Sequence, residues 1–310
     1  MTFSEIAISI EGDDQFQVGV LAKPDVSGQT GVIVLVGGPQ YRAGSHRQFV
    51  LLSRALAEAG FAVLRMDFRG MGDSDGEPYQ FTNVSTDIAC AISAFLTQVP
   101  TLRHIVLWGL CDGASAALLY MHDTKDARVV GLCLLNPWVR SETTLARTQV
   151  KHYYSQRLRQ REFWVKLASG KVAASALKGL INSLRTMGRT SKHHPSADLQ
   201  FQEKMQIAWS NFRGSMLLVL SGEDYTAKEF LEYAQTHSEW TSALQQSNVY
   251  RHDMNNADHT FSAIEHSREV EMATVNWLAD LKPGNGINEP SCNAKLHLAK
   301  LPAAKLPLAK

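Results

Sequence analysis

The chain has 310 residues, about twice an average domain, which suits one α/β domain carrying an insertion. Hydrophobic residues at 45%, charged residues at 20%, 21 glycines and 10 prolines are ordinary globular usage and exclude a wholly disordered, collagen-like or coiled-coil chain. Thirty-one Lys and Arg against thirty Asp and Glu leave a formal charge of +1, so the whole-chain balance gives no footprint for nucleic acid or a membrane.

Residues 5–10 and 16–22 alternate apolar and polar side chains around the turn-rich Glu11-Gly12-Asp13-Asp14, the pattern of a β-hairpin. Residues 31–36, Gly-Val-Ile-Val-Leu-Val, are a continuous apolar run of the kind a strand buried on both faces requires, and Gly37-Gly38-Pro39 ends it. Helical periodicity over 46–59 is followed by a buried strand at 62–66, a helix at 84–96, a strand at 104–108, a helix at 114–122 and a strand at 129–135. Strands alternating with helices predict βαβ units and a mostly parallel sheet covered on both faces.

After Asn136-Pro137 the rhythm breaks. The next strand, at 216–220, comes about eighty residues later, where a crossover helix needs only a dozen or so residues. Helices are predicted at 144–158, 162–167, 173–186 and 197–211, so the span reads as a helical cap insertion. A helix at 228–235, a strand near 248–250, a loop at 253–258 and a helix at 262–278 then resume the pattern. The expected division is a core of 1–138 and 214–282, a cap of 139–213, and a disordered tail of 283–310 with loosely repeated Ala-Lys-Leu-Pro units.

The near-zero charge hides a segregation. Span 139–213 holds fourteen basic and four acidic residues, a net of +10, which leaves −9 on the rest. Either solvated helix faces lie over an acidic body, or the cap draws in an anionic substrate, or it makes peripheral contact with an anionic membrane surface.

Cys90, Cys111, Cys133 and Cys292 are too scattered for a disulfide framework and form no C-x-x-C pair, so neither disulfides nor a zinc site is expected. The N-terminus lacks the basic segment and apolar run of a signal peptide, and no stretch approaches the roughly 20 apolar residues of a membrane span. The reading is a cytoplasmic chain with reduced thiols, with no metal, cofactor or nucleic acid called for.

The strand at 104–108 runs into Gly109-Leu110-Cys111-Asp112-Gly113 and then a helix, which matches the nucleophile elbow G-x-S-x-G with Cys in place of Ser. That geometry puts the nucleophile on a strained turn and aims the first N–H groups of the helix, Asp112 among them, at a developing oxyanion. Cys90 and Cys133 read as small buried hydrophobes. The carboxylate of Asp112 bears on the thiol only if it points inward, which the sequence leaves open.

A triad on this plan continues with an acid and then a histidine, each after a later strand. Ser221-Gly222-Glu223-Asp224-Tyr225 follows the strand at 216–220, with Asp224 the expected acid and Glu223 the runner-up. Asp258-His259-Thr260-Phe261 follows the last strand and makes His259 the expected base, with His252 the competitor. For the second oxyanion donor Pro39 has no N–H, so Gly38 is expected, with Gln40 as alternative. The turn from Asp67 to Ser74, Asp-Phe-Arg-Gly-Met-Gly-Asp-Ser, reads as a rigid support for the site.

Together, the segments Gly37 to Arg47, Asp67 to Ser74, Gly109 to Gly113 and Ala257 to Ser262 resemble the exosortase A system-associated hydrolase 1 family over about residues 5–280. This is a branch of the α/β-hydrolase superfamily, related more loosely to the serine aminopeptidase and lysophospholipase-like group. The resemblance implies an α/β-hydrolase fold, a triad of Cys111, Asp224 and His259, and a setting beside exosortase and exopolysaccharide genes in Gram-negative bacteria with PEP-CTERM sorting. The G-x-C-x-G also looks like that of dienelactone hydrolases. The expected activity is hydrolysis of an ester or thioester, on a small-molecule or lipid-linked acyl substrate, through an acyl-enzyme; an acyltransferase and a non-catalytic binding protein are the alternatives.

Overall fold

A computed structural model describes residues 2–12, 15–38, 40–77, 80–140, 199–281 and 296–297. Strands β1 (Phe3–Gly12) and β2 (Gln15–Pro24) form the expected hairpin, with Phe3 opposite Pro24 and Gly12 opposite Gln15. Then follow β3 (Thr30–Leu35), α1 (Gln48–Glu58), β4 (Ala62–Met66), α2 (Ser85–Gln98), β5 (His104–Leu110), α3 (Asp112–Thr124) and β6 (Val129–Leu135). After the residues left undescribed come α4 (Phe201–Asn211), β7 (Ser215–Ser221), α5 (Tyr225–Thr236), α6 (Ser238–Leu244), β8 (Val249–Met254), α7 (Ile264–Ala279) and the two-residue β9 (Leu296–His297).

The strands form one sheet in the order β8-β7-β6-β5-β3-β4-β2-β1-β9. From β3 to β8 every pairing is parallel, whereas β2 joins β4 antiparallel and β1 joins β2 antiparallel. Strand β4 is buried at every position, and β3, β5 and β7 at all but the first, so helices must cover both faces. This is the α/β-hydrolase arrangement, and it sets the carboxyl ends of β5, β7 and β8 along one edge of the sheet, where a ligand-binding crevice is expected.

Differences from the sequence reading have local causes. The helix expected at 46–59 starts at Gln48 because His46 and Arg47 have φ of 53° and 61°, which places a separate 3-10 turn ahead of it. Strand β8 runs through Met254, into the expected loop, because its register with β7 continues to Ser221. The last helix starts at Ile264, beyond Phe261 at φ 52°.

The helices expected at 144–158, 162–167 and 173–186 lie outside the described residues, as do 282–295 and 298–310 of the tail. Leu296 and His297 pair with Ile10 and Ser9. The fourth helix expected in the insertion is α4, begun by a capping box of Gln200 and Glu203. It packs on the core through Met205, Ala208 and Trp209. Helix α6 was not legible in the sequence. Its Trp240 stacks edge-on against Trp209 and Phe230, with ring centroids 5.5 Å from each, and the Trp209 indole N–H donates to Ala243 O at 3.0 Å. Among the described residues no helix is long and apolar enough to cross a membrane.

Candidate active site

Cys111 stands between β5 and α3 at φ 61° and ψ −125°, a conformation costing an L-residue about 1–3 kcal/mol that persists only where its surroundings impose it. The Cys111 N–H donates to Leu135 O at 2.9 Å, and its carbonyl accepts from the N–H groups of Ala114, Ser115 and Trp138 at 3.1, 3.3 and 3.3 Å. The two glycines of the elbow follow from contact distances. A Cβ on Gly109 would lie 2.5 Å from the Gly113 carbonyl, and one on Gly113 would lie 2.4 Å from Leu35 O. Strand, helix and the neighbouring β3 approach too closely there for any side chain.

Asp224 leaves β7 and caps α5. Its Oδ1 accepts from Thr226 N–H at 3.0 Å and its Oδ2 from Ala227 N–H at 3.1 Å. At 6% exposed it also reaches His259 Nδ1 at 2.8 Å. Glu223 is exposed and only its N–H is engaged, to Ala257 O at 3.0 Å. His252 pairs with Glu269 at 2.8 Å. The loop after β8 thus brings His259, not His252, to Asp224. The hydrogen bond to Asp224, and after it one between His259 and Cys111, push the imidazole up to about 10 against the opposing effect of burial. Asp224 and His259 are thus hydrogen-bonded, and Cys111 is close enough to the ring to raise it.

Asn136 holds the loops that carry this line, and sequence reasoning passed over it as the residue before a proline. Fully buried, with φ of 45°, it accepts from Ser221 N–H through Oδ1 at 2.9 Å. Its amide donates to Ser221 Oγ at 2.9 Å and His259 O at 3.3 Å, and Ser221 Oγ donates to Asp258 O at 2.9 Å. One amide therefore joins the ends of β6 and β7 to the histidine loop. The available signal was an Asn, which tolerates left-handed backbone, at the end of a buried strand.

The two expected oxyanion donors also come together, with a side chain between them. Gly38, at φ 58°, donates its N–H to Asp112 Oδ1 at 2.5 Å. Burial raises the Asp112 carboxyl above its ordinary value, a shift only partly offset by the Gly38 N–H, by the nearby N–H groups of Asp112 and Gly113, and by the attraction of His259. The alternative donor, Gln40, keeps a buried side-chain oxygen with no hydrogen-bond partner. Behind the Gly38 loop, fully buried Asp67 accepts from the N–H groups of Arg42 and Asp73 at 2.6 and 3.2 Å and pairs with the Arg42 guanidinium. Those bonds tie the turn from Asp67 to Ser74 to the loop before α1. Among the described residues no three His, Cys, Asp or Glu side chains are grouped to hold a metal ion.

With this geometry in view, comparison with known proteins narrows the family. The family described as serine aminopeptidase, S33, matches residues 29–226. Protein ABHD12B of Homo sapiens is 32% identical over 115 residues, covering 36% of this chain, and the match spans only 31% of the human protein. Among solved structures, the Pyrococcus furiosus esterase Pf2001 superposes with a TM-score of 0.60 at 16% identity, over 91% of this chain and 92% of that one. The dienelactone hydrolase from Anabaena variabilis ATCC 29413 gives 0.58 at 13% identity, over 91% and 99%. At such identities the likeness is one of fold.

Proposed function

The chain belongs to the serine aminopeptidase S33 family of α/β-hydrolases, from which we propose that it is a hydrolase of esters or thioesters whose nucleophile is Cys111. The observation that carries this reading is the line from Asp224 through His259 to Cys111, ending on the strained elbow. With Asp224 and Cys111 pushing the imidazole up to about 10, His259 is a base strong enough to take the Cys111 proton and carry it as an imidazolium.

Cys111 Sγ attacks the carbonyl carbon, an S–C bond forms, and the C=O electron pair moves to the oxygen. The N–H groups of Gly38 and Asp112 are the donors for that oxyanion. As the tetrahedral adduct collapses, His259 protonates the departing alkoxide or thiolate. A water then loses its proton to His259 and attacks the acyl group, the S–C bond breaks, and the acid leaves. Asp224 holds the ring by Nδ1 and stabilises its charge throughout.

The test is burst kinetics with p-nitrophenyl esters, together with intact-mass detection of the acyl adduct. Cys111→Ala is expected to lose turnover by about 10³-fold or more, with the adduct mapped to Cys111 in the wild type. Equal turnover by Cys111→Ala would remove the mechanism. A hydroxyl acceptor that takes the acyl group in preference to water would make the chain an acyltransferase with the same intermediate.

The substrate setting rests on two further supports. The motifs that resemble the exosortase A system-associated hydrolase 1 family favour a setting linked to exosortase and exopolysaccharide systems. The +10 net charge of 139–213 favours an anionic substrate, for which kcat/KM is expected to fall with added salt while that of a neutral ester holds steady.

A further inference from the structure

The Asp112 side chain occupies the place where the reaction above needs an oxyanion. The donors available to such an oxygen are the N–H of the residue after the nucleophile and an N–H of the loop after β3. Here Gly38 N–H bonds to Asp112 Oδ1 at 2.5 Å, and the N–H groups of Asp112 and Gly113 lie on the same carboxylate's side closely enough to favour its charged form. Space for it is provided by Gly37, where a Cβ would come within 2.5 Å of Asp112 Oδ1. An N–H engaged by a carboxylate is not free for a tetrahedral oxyanion, and the two negative oxygens would repel each other at that range.

Resting on the cysteine-hydrolase reading, we propose that Asp112 is a built-in occupant of the oxyanion hole: its carboxylate takes the Gly38 N–H in the free enzyme and must be displaced before Cys111 is acylated. The carboxylate imitates the transition-state charge, which keeps the donors aligned without substrate. It also selects substrates, because a carbonyl compound gains the hole only when its contacts elsewhere offset the displacement. The Asp112 side chain thus limits acylation without itself touching the reacting atoms.

The experiment compares wild type, Asp112→Ala and Asp112→Asn in two reactions of Cys111. Acylation by p-nitrophenyl acetate needs the hole; alkylation by iodoacetamide is a displacement at an sp³ carbon and does not. The ratio of the two rate constants cancels changes in thiolate reactivity. Displacing a charge-assisted hydrogen bond is expected to slow acylation about tenfold, so Asp112→Ala should raise the ratio by about that factor. Asp112→Asn, which keeps a neutral acceptor for Gly38 N–H, should raise it by less. An unchanged or lower ratio in Asp112→Ala overturns the proposal. Should Asp112→Ala fail to fold, Asp112→Asn decides alone, a rise of about threefold supporting the proposal and equality with wild type overturning it. Turnover that survives in Cys111→Ala is a separate result, one that refutes the cysteine reading on which the proposal stands.

Discussion

Replacing Asn136 with Ala removes one amide from a buried junction, and the structure gives the cost of each piece. Ser221 N–H loses its acceptor at 2.9 Å and, being buried, has no water to replace it. One such orphaned donor costs about 1–3 kcal/mol. Ala must also hold φ near 45°, which Asn tolerates and Ala resists by about 1–2 kcal/mol. The two contributions give about 2–5 kcal/mol, a large part of the roughly 5–15 kcal/mol that separates a folded domain from its unfolded chain. Ser221 Oγ keeps its bond to Asp258 O, so the histidine loop stays attached, but His259 O loses its anchor. A drop in kcat of about tenfold is expected with little change in KM, since the loss falls on base positioning. Urea unfolding of wild type, Asn136→Ala and Asn136→Gly measures both contributions, because Gly accepts the backbone angle and isolates the hydrogen bonds. An Asn136→Ala variant within about 0.5 kcal/mol of wild type would refute the assignment of Asn136 as the junction.

Gly113→Ala places a Cβ 2.4 Å from Leu35 O, a backbone atom in the middle of the sheet, so β3 or α3 must shift; a loss of about 3 kcal/mol or more by urea unfolding is expected, and a stable variant would mean the elbow is looser than described. Asp224→Asn should lower kcat by about 10³–10⁴-fold while Glu223→Gln stays within about twofold, and the reverse order would exchange the acid. His259 is raised from 6.5 to about 10 by Asp224 and Cys111, so its contribution to stability is complete below pH 6.5 and is lost as pH rises through 10. Urea midpoints should therefore fall between those values in the wild type and much less in Asp224→Asn, and parallel profiles would show that the pair contributes nothing to folding.

The fold was legible because its signals are redundant. Residues 31–36 read as an unbroken apolar run ended by Gly37-Gly38, and in residues 62–66 Arg65 alone interrupts one. The boundaries that shifted did so where a single backbone angle overrules periodicity, as at His46, Arg47 and Phe261. Helix α6 was missed because seven residues with two buried side chains, Trp240 and Ala243, carry too short a pattern to stand out.

At the site, the residues named in advance are those whose position in the chain order fixes them: Cys111 on the elbow, Asp224 after β7, His259 after β8. The residues that escaped, Asn136 and the side chain of Asp112, act by direction. The G-x-C-x-G pattern dictates the backbone at Asp112 and is silent on where its carboxylate turns. Gly37 leaves room for it, since a Cβ there would lie 2.5 Å from Asp112 Oδ1 as well as 2.3 Å from Leu110 O, and the Gly38 N–H bonds to the same oxygen. The glycine pair after β3 and the aspartate after the nucleophile are therefore one device written seventy-odd residues apart, and neither half is readable without the contact that joins them.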